Sequence, residues 1–354
     1  MTLTRTGGRT APRPPRTGAP DEPWTLLADI LLQRAALIAR MTRNRALDPM
    51  AGLKVDGDDI EYLIRELPGI EAVDPPGVAE LARSLVPEVE QARAELANDL
   101  ASEGSFAWLV FSAQLDAPEA EVLAVMCAVE LDPRRQRLVG YLNDDVTQRR
   151  LTPWSLGLVF NQDLGAHLAV GPGSRLRRAA LLVPPADGPW ATTPLTVAPA
   201  VLWWLSGDHS LDPDLPPGVE VVSGPGGSAS LITAAGPDRV RRLQAAVAAL
   251  RGESFLVTPV PGTPERWDAV IRQATLAQLG VILDVEDGLS PDARDRIERA
   301  DHLAWAVTSP RDLPLVDLPR RPWIDVAVRP GAATVEEWSA TFGRAANHEE
   351  YRLT

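Results

Sequence analysis

The stretch that decides the fold is residues 116–160, DAPEAEVLAVMCAVELDPRRQRLVGYLNDDVTQRRLTPWSLGLVF. It contains three short helix patterns, each preceded by a residue that can cap a helix. Asp116 and Glu119 have the spacing of a capping box, and Asp132 and Thr152 each precede a proline, which is favoured at the first helical position. The first helix is apolar on more than one side, so we expect it to be buried. Its apolar residues are Val122, Leu123, Val125, Met126 and Val129.

Two further apolar runs, 179–183 and 194–198, follow the third helix pattern, and the sequence PPADG lies between them. Apolar runs on either side of such a turn predict a β-hairpin. Three helices and then a hairpin form the layout of a winged helix. We therefore predict a winged-helix domain with its connector over residues 104–220.

The third helix of this layout is the one that would read DNA. A reading helix presents arginine, lysine, asparagine or glutamine on its outer face, whereas this helix offers Trp154, Ser155, Gly157 and Gln162. Basic residues do flank it and the wing: Arg149, Arg150, Arg175, Arg177 and Arg178. Neighbouring acids and the acidic chain as a whole oppose phosphate binding. The charge distribution therefore favours a winged helix that binds protein.

Residues 129–160, VELDPRRQRLVGYLNDDVTQRRLTPWSLGLVF, resemble the winged-helix segment of the AAA+ ATPases encoded with extracellular contractile injection systems, which are phage-tail-like toxin-delivery machines. Residues 48–64, DPMAGLKVDGDDIEYLI, resemble the N-terminal segment of the same proteins. The resemblance extends over residues 24–354. It implies a second, motor-like AAA+ domain that binds ATP and Mg²⁺ beyond this chain, so the chain is expected to be the N-terminal half of such a protein.

The net charge of −13 opposes binding to nucleic acid and to anionic membranes. No apolar run approaches the roughly 20 residues that span a bilayer, and the arginine-containing start has no apolar segment of the kind found in secretory signals. A cytoplasmic location is predicted. The single cysteine, Cys127, leaves no internal disulfide framework. Four scattered histidines show no ligand spacing, so no metal site is expected.

We divide the chain by composition and pattern. The predicted segments are a disordered tail over 1–22, a helical hairpin over 23–103, the winged helix over 104–220, a degenerate AAA+ α/β module over 221–330, and the start of a truncated lid or linker over 331–354. Within the hairpin region, helices are predicted over 24–47, 58–67 and 76–100. The last has an apolar stripe that we expect to pack within the molecule: Leu81, Leu85, Val89, Ala92, Leu96 and Leu100.

Beyond residue 221 the pattern alternates between strands and helices. Strands are predicted over 230–235, 254–258, 280–285, 302–308 and 323–328, and helices over 239–250, 264–279, 291–300 and from 335 to 342. This alternation predicts a mainly parallel, three-layered α/β sheet, with functional residues at the carboxyl ends of the strands. The glycine-rich GPGGS that precedes the first strand is interpreted as a flexible linker.

The turn after the first strand decides whether the module binds nucleotide. A working P-loop reads Gly-x-x-x-x-Gly-Lys-Ser/Thr, but this chain reads GPDRVRRL from Gly236 onward. Arg241, Arg242 and Leu243 replace the second glycine, the lysine and the hydroxyl residue, and Asp238 adds a negative charge. We therefore predict no Mg·ATP chemistry at this turn.

Two interpretations remain for Arg239 and Arg242 at the start of the following helix. They could hold an anion at the helix N-terminus, or they could be arginines that solvate an exposed helix start. The loss of the motif favours the second interpretation.

The third strand, GVILDVEDGLS, resembles a Walker B motif. Asp284 stands at its Mg²⁺-binding position, but Val285 occupies the place of the catalytic glutamate and Glu286 comes one residue later. Asp284 is therefore expected to be a loop or cap residue. Thr308 and Ser309 stand where AAA+ proteins keep a polar sensor, and we interpret them as strand-end turn residues.

These residues define the predicted nucleotide site: Gly236, Arg242, Asp284, Glu286 and Thr308. The site is expected to be non-functional, with no catalytic residue and no bound cofactor.

The sequence predicts a non-catalytic platform of a contractile-injection-system AAA+ ATPase. Its expected partners are proteins, namely its own C-terminal motor domain, neighbouring subunits, and an injection-particle component or cargo. The alternative is a winged-helix transcriptional regulator with a defunct nucleotide-binding module. A self-sufficient nucleotide-dependent enzyme is disfavoured by the broken P-loop.

Overall fold

The computed structural model describes residues 22–43 and 77–328. Four predictions lie wholly or almost wholly outside these residues: the tail over 1–22, the helix over 58–67, the helix from 335 to 342 and the lid or linker over 331–354. Within the described ranges, none of the helices combines the length and the apolar character needed to cross a membrane.

The chain divides into two compact units, which are described separately. The helical unit contains the described residues up to Pro213 together with Ile271–Ala277. The α/β unit contains Asp214–Val270 and the described residues from Gln278 onward.

The helical unit is built from ten helices within the described residues, apart from the segment Ile271–Ala277. They are α1 (Pro23–Arg43), α2 (Val78–Ser84), α3 (Val86–Asp99), α4 (Ser105–Ser112), α5 (Ala117–Leu131), α6 (Pro133–Leu142), α7 (Pro153–Val159), α8 (Leu164–Ala169), α9 (Arg175–Arg178) and α10 (Pro199–Leu205).

The three predicted helix starts of the decisive stretch are confirmed by their hydrogen bonds. The carboxylate of Asp116 accepts from the backbone N–H of Glu119 at 3.0 Å, and the Glu119 side chain accepts from the Asp116 N–H at 3.1 Å. Asp132 accepts from the N–H of Arg134. Thr152 forms a second capping box with Ser155. Local side-chain caps therefore fix where α5, α6 and α7 begin.

Helix α5 is the buried centre of the helical unit, as its apolar pattern predicts. The five apolar residues named for it are at most 2% exposed, and Cys127 is fully buried. Residues of α1, α3, α4 and α6 to α10 belong to the same core cluster. The segments that the sequence analysis separated at residue 104 therefore share one core.

The predicted helix over 76–100 is interrupted, so that α2 and α3 follow each other with Leu85 between them. The interruption is explained by Pro87 in the first turn of α3, which has no backbone N–H to continue the hydrogen-bond ladder of α2. The apolar stripe beyond it faces inward, since Val89, Ala92 and Leu96 are buried in the core. Intramolecular packing of this part of the stripe is confirmed.

The predicted wing is smaller than a two-stranded hairpin. A single antiparallel bridge joins Leu182 to Val197, and the N–H of Val183 donates to the carbonyl of Thr196 at 2.9 Å. Helix α9 extends to Arg178 and Ala180 has a φ of +54°, so the chain becomes extended too late for a longer strand.

The α/β unit contains six strands among the described residues: β1 (Glu220–Ser223), β2 (Leu231–Ala235), β3 (Ser254–Pro259), β4 (Gly280–Asp284), β5 (Trp305–Ser309) and β6 (Ile324–Asp325). Its helices are α11 (Arg239–Ala249), α12 (Pro264–Ala277) and α13 (Pro291–Arg299). Helix α12 ends in the segment Ile271–Ala277, which is grouped with the helical unit.

The strands form one mixed sheet in the order β1-β3-β4-β5-β2-β6. The five predicted strands pair in parallel, whereas β1 pairs antiparallel with β3 and was not predicted. Strand β1 is short and mostly exposed at the edge of the sheet, so it lacks the apolar run of the others. The sheet is therefore mainly parallel, as predicted, and the antiparallel edge strand β1 makes it a mixed sheet.

The glycine-rich stretch before β2 is ordered backbone and is not the flexible linker that we predicted. The N–H of Gly227 donates to the carbonyl of Leu250 at 2.8 Å. A Cβ on Gly226 would lie 1.7 Å from the carbonyl oxygen of Gly252. Glycine is required there because another part of the backbone passes too close for any side chain.

Candidate functional site

The predicted nucleotide-site residues lie at the carboxyl ends of the parallel strands of the α/β unit. Gly236 follows β2, Asp284 ends β4, and Thr308 is in β5, which lies between β2 and β4. Arg242 comes from the first turns of α11 and joins Asp284 through an ion pair. Parallel strands bring their carboxyl ends to one edge of the sheet, which explains this juxtaposition.

Asp284 is the centre of this site. Its Oδ2 accepts from Arg239 Nε at 2.6 Å, and its Oδ1 accepts from Arg242 Nη2 at 3.2 Å. The hydroxyl of Thr308 lies 3.4 Å from the same Oδ1. Asp284 is the last residue of β4, so the prediction that it is a loop or cap residue is wrong. It is the shared counter-ion of two arginines.

The two arginines differ in their surroundings. The Arg242 side chain is only 5% exposed, whereas that of Arg239 is half exposed. Arg242 Nη1 also donates to the carbonyl of Gly236 at 2.6 Å. The interpretation of both as arginines that solvate an exposed helix start is therefore wrong for Arg242. A buried guanidinium needs a counter-charge, and Asp284 provides it.

The N-terminus of α11 already has an acceptor. The carboxylate of Asp238 accepts from the N–H groups of Val240 at 2.9 Å and Arg241 at 3.4 Å. These are the backbone donors that would otherwise be free to bind an anion at a helix N-terminus. Asp238 therefore closes that end of the helix to a ligand.

The Walker B-like segment continues with a buried residue. Val285 is fully buried, and its N–H donates to the carbonyl of Thr308 at 2.8 Å. A buried valine therefore occupies the position of the catalytic glutamate, and it has no group that could activate a water molecule. Glu286, one residue later, is exposed and lines an adjacent cleft.

The two residues at the sensor position are part of strand β5. Thr308 is fully buried, and its hydroxyl donates to the carbonyl of Leu283 at 3.1 Å. Ser309 donates to the carbonyl of Arg311 at 2.6 Å. Their interpretation as turn residues is wrong, because both are paired within the sheet.

A cleft of about 350 Å³ opens beside Asp284. Its lining residues include Arg239, Asp284, Glu286, Asp287 and Val257. Within the described ranges, no group of three or more histidine, cysteine, aspartate or glutamate side chains has an arrangement suited to a metal ion. The cleft is lined by charged side chains. Two of them, Arg239 and Asp284, form an ion pair with each other.

The sequence did not reveal the pairing of Asp284 with Arg239 and Arg242. The partners are 45 and 42 positions apart, and only the sheet topology brings them together. The proline before Asp238 and the helix pattern after it were a local signal for the cap. We had interpreted Asp238 only as a charge in a phosphate loop.

The surface of the winged helix is a second candidate site. Helix α7 presents Trp154, which is 42% exposed, but Ser155 and Gly157 are buried. Gln162 lies beyond the end of α7 and is exposed. Two of the four residues considered for base reading therefore face the interior.

The arginines near this surface are engaged by neighbouring groups. Arg150 Nε lies 2.8 Å from Glu130, and Arg175 pairs with both Asp116 and Glu119. Arg177 donates to backbone carbonyls of Val170 and Val183, and burial lowers the pKa of Arg177. Of the predicted basic cluster, Arg150 and Arg175 are therefore neutralised by acids, and Arg177 is held by backbone carbonyls.

Comparison with known proteins bears on the helical unit. The comparison with curated proteins and that with solved structures each gave no match. A family model described as "Winged helix domain, variant" matches residues 35–219. The match begins upstream of residue 104, in agreement with the shared core of the helical unit, and spans just over half of the 354 residues. The chain therefore belongs to the winged helix domain, variant, family.

Proposed function

We propose that this chain is a non-catalytic, protein-binding platform of an AAA+ ATPase associated with a contractile injection system. The resemblance in residues 48–64 and 129–160 supports the family, and the family model supports the winged helix. The α/β unit is, in this proposal, a degenerate AAA+ module. The proposed partners are a motor domain, neighbouring subunits, and an injection-particle component or cargo, all in the cytoplasm.

The main support for the proposal is that the charged side chains around Asp284 are already paired with one another. A nucleotide-binding module needs free cationic donors for the β- and γ-phosphates and a free carboxylate for Mg²⁺. Here Arg239 and Arg242 both donate to the carboxylate of Asp284, which pairs these cations with that acid. The three strand ends that the resemblance assigns to phosphate loop, Walker B and sensor are adjacent in the sheet, which favours a module that has kept its fold and lost its ligand.

The helical unit supports a protein-binding function over a DNA-binding one. Leu164 and Leu168 are 68% and 64% exposed, and their i, i+4 spacing places them side by side on α8. Large exposed apolar side chains are more useful in a protein interface than against phosphates. The arginines that a DNA-binding surface would need are paired, as described for Arg150 and Arg175.

The first test is phosphate release and equilibrium ATP binding with the purified chain at millimolar Mg·ATP. We expect neither turnover nor binding, because no described residue at the site is free to hold phosphate. Turnover that disappears in Asp284→Ala would overturn the non-catalytic proposal.

The second test addresses the platform. Each structural protein encoded beside this chain is purified, and its binding to the chain is measured by biolayer interferometry. We expect one of them to bind, with affinity lost when Leu164 and Leu168 are both changed to glutamate. Leu315→Glu is the control, because Leu315 is 76% exposed but belongs to the α/β unit. Equal loss in the control, or binding to none of these proteins, would contradict the proposal.

A further inference from the structure

We infer that Arg239 and Arg242 form a latent oxyanion site whose present occupant is the carboxylate of Asp284. The inference rests on the proposed function, since it concerns the same degenerate site. It adds a second reason for the proposed lack of nucleotide binding. Besides the missing lysine of the P-loop, Asp284 excludes anionic ligands.

The positive charge of Arg242 is buried. Arg242 is 5% exposed and depends on Asp284 for its counter-charge at 3.2 Å. The Nε of Arg242 is buried and has no hydrogen-bond partner in the described part of the chain. Removing one partner of such a pair leaves a charge in a poorly solvated place, which strongly destabilises a protein. An anion from solution that replaced the carboxylate would remove that penalty.

The cleft beside the pair gives a ligand access to Arg239 from solvent. Arg239 and Asp284 both line the cleft of about 350 Å³, which is within the range of roughly 300–1,000 Å³ for small-molecule pockets. The Arg239 side chain is half exposed, at 52%. An anion can therefore approach Arg239 from solvent and replace the carboxylate between the two guanidinium groups.

The donors determine the ligand class. Two guanidinium groups match the oxygens of a tetrahedral oxyanion such as phosphate or sulfate. The backbone N–H groups of Val240 and Arg241 are occupied by Asp238. The latent site is thus built from arginine side chains and differs from a P-loop, where backbone groups surround the phosphates.

The experiment is chemical rescue of Asp284→Ala in the full chain, because alanine vacates the place of the carboxylate. Thermal unfolding of the wild type and the variant is measured in inorganic phosphate and in chloride at matched ionic strength. We expect the variant to unfold at a lower temperature than the wild type in chloride. Phosphate should raise its Tm by several degrees in a saturable way, because a ligand that binds only the folded state stabilises it. Phosphate also stabilises folded proteins in general because it is excluded from their surface, so the wild-type gain is the baseline and the variant should gain several degrees more.

Two variants make the result specific. Asp287→Ala removes one negative charge from the same cleft without touching the pair, so phosphate should raise its Tm no more than that of the wild type. Arg239→Gln in the Asp284→Ala background should reduce the rescue. The inference is overturned if Asp284→Ala gains no more from phosphate than the wild type does, including if it stays unfolded in both salts, or if Asp287→Ala gains as much. ATP turnover by the wild type would instead overturn the proposed function.

Discussion

Arg272 and Asp212 form a buried ion pair, with 2.6 Å between Arg272 Nη2 and Asp212 Oδ2. The Asp212 side chain is 1% exposed and that of Arg272 10%. Arg272 also donates to the carbonyl of Ala180 at 3.3 Å, and the side chain of Gln273 accepts from the N–H of Asp212 at 2.9 Å. The pair anchors the end of the connector to the second half of α12 inside the helical unit.

The first prediction concerns this pair. Arg272→Met leaves the Asp212 carboxylate buried without its cation, so the free energy of unfolding should fall by about 3–5 kcal/mol. Urea denaturation followed by circular dichroism measures the change. Arg299→Met is the control, because its partner Asp295 and Arg299 itself are both about half exposed or more, and its loss should cost at most about 1 kcal/mol. Equal effects would show that burial does not matter here.

The second prediction concerns Asp132. Hydrogen bonds from the side chain and backbone of Arg134 lower the pKa of Asp132 to about 2, against 3.8 as its ordinary value. The folded state therefore binds this proton less readily, and the resulting stability is complete above about pH 4 and is lost as the pH falls toward 2. Asp132→Asn, which keeps a capping side chain, should be less stable than the wild type at pH 7, and the difference should shrink as the pH falls from 4 to 2.

Urea midpoints measured between pH 2 and 7 test this dependence. Asp187→Asn is the control, because Asp187 is exposed and forms no hydrogen bond within the described residues of the wing loop. Its midpoint should follow that of the wild type throughout. A stability difference for Asp132→Asn that stays constant down to pH 2 would show that its charge does not stabilise α6.

The helix starts could be predicted because their causes are local. Asp116, Asp132 and Thr152 cap helices through bonds to residues two or three positions away. Strand β1 could not be predicted, because it is stabilised by its partner β3 and has little apolar character of its own. The Asp284 pair depends on the neighbouring positions of β2, β5 and β4, which no short stretch of sequence encodes.

The third prediction is that the winged helix does not bind DNA specifically. The arginines near α7 are paired with acids or carbonyls, and Ser155 and Gly157 are buried. A binding assay with pooled genomic fragments at about 150 mM salt, where weak non-specific contacts are screened, is the measurement. Nanomolar, sequence-selective binding that is abolished in Arg149→Ala/Arg150→Ala would establish the regulator alternative.

The fourth prediction is that the isolated chain is a monomer with or without ATP. If the α/β unit is a degenerate AAA+ module, as proposed, nucleotide would be needed to bridge its subunits, and Asp284 and Arg242 form an ion pair in the site that would bind it. The apolar residues Val89 and Leu96 of α3 are buried in the core of the helical unit, so they are not available to pair two chains. Light scattering at micromolar protein should give the mass of one chain, 38.2 kDa. An ATP-dependent hexamer would require the α/β unit to be a working nucleotide switch.

The burial of Cys127 has a practical consequence for experiments on this chain. It is the single cysteine of the sequence, it lies in the centre of α5, and burial raises the pKa of its thiol. Reagents that attack the thiolate therefore find no target in the folded protein. A cysteine introduced at exposed Leu164 or Leu315 would be the only one to take up a fluorophore or spin label. Distances and partner contacts can thus be followed by spectroscopy without first replacing the native thiol.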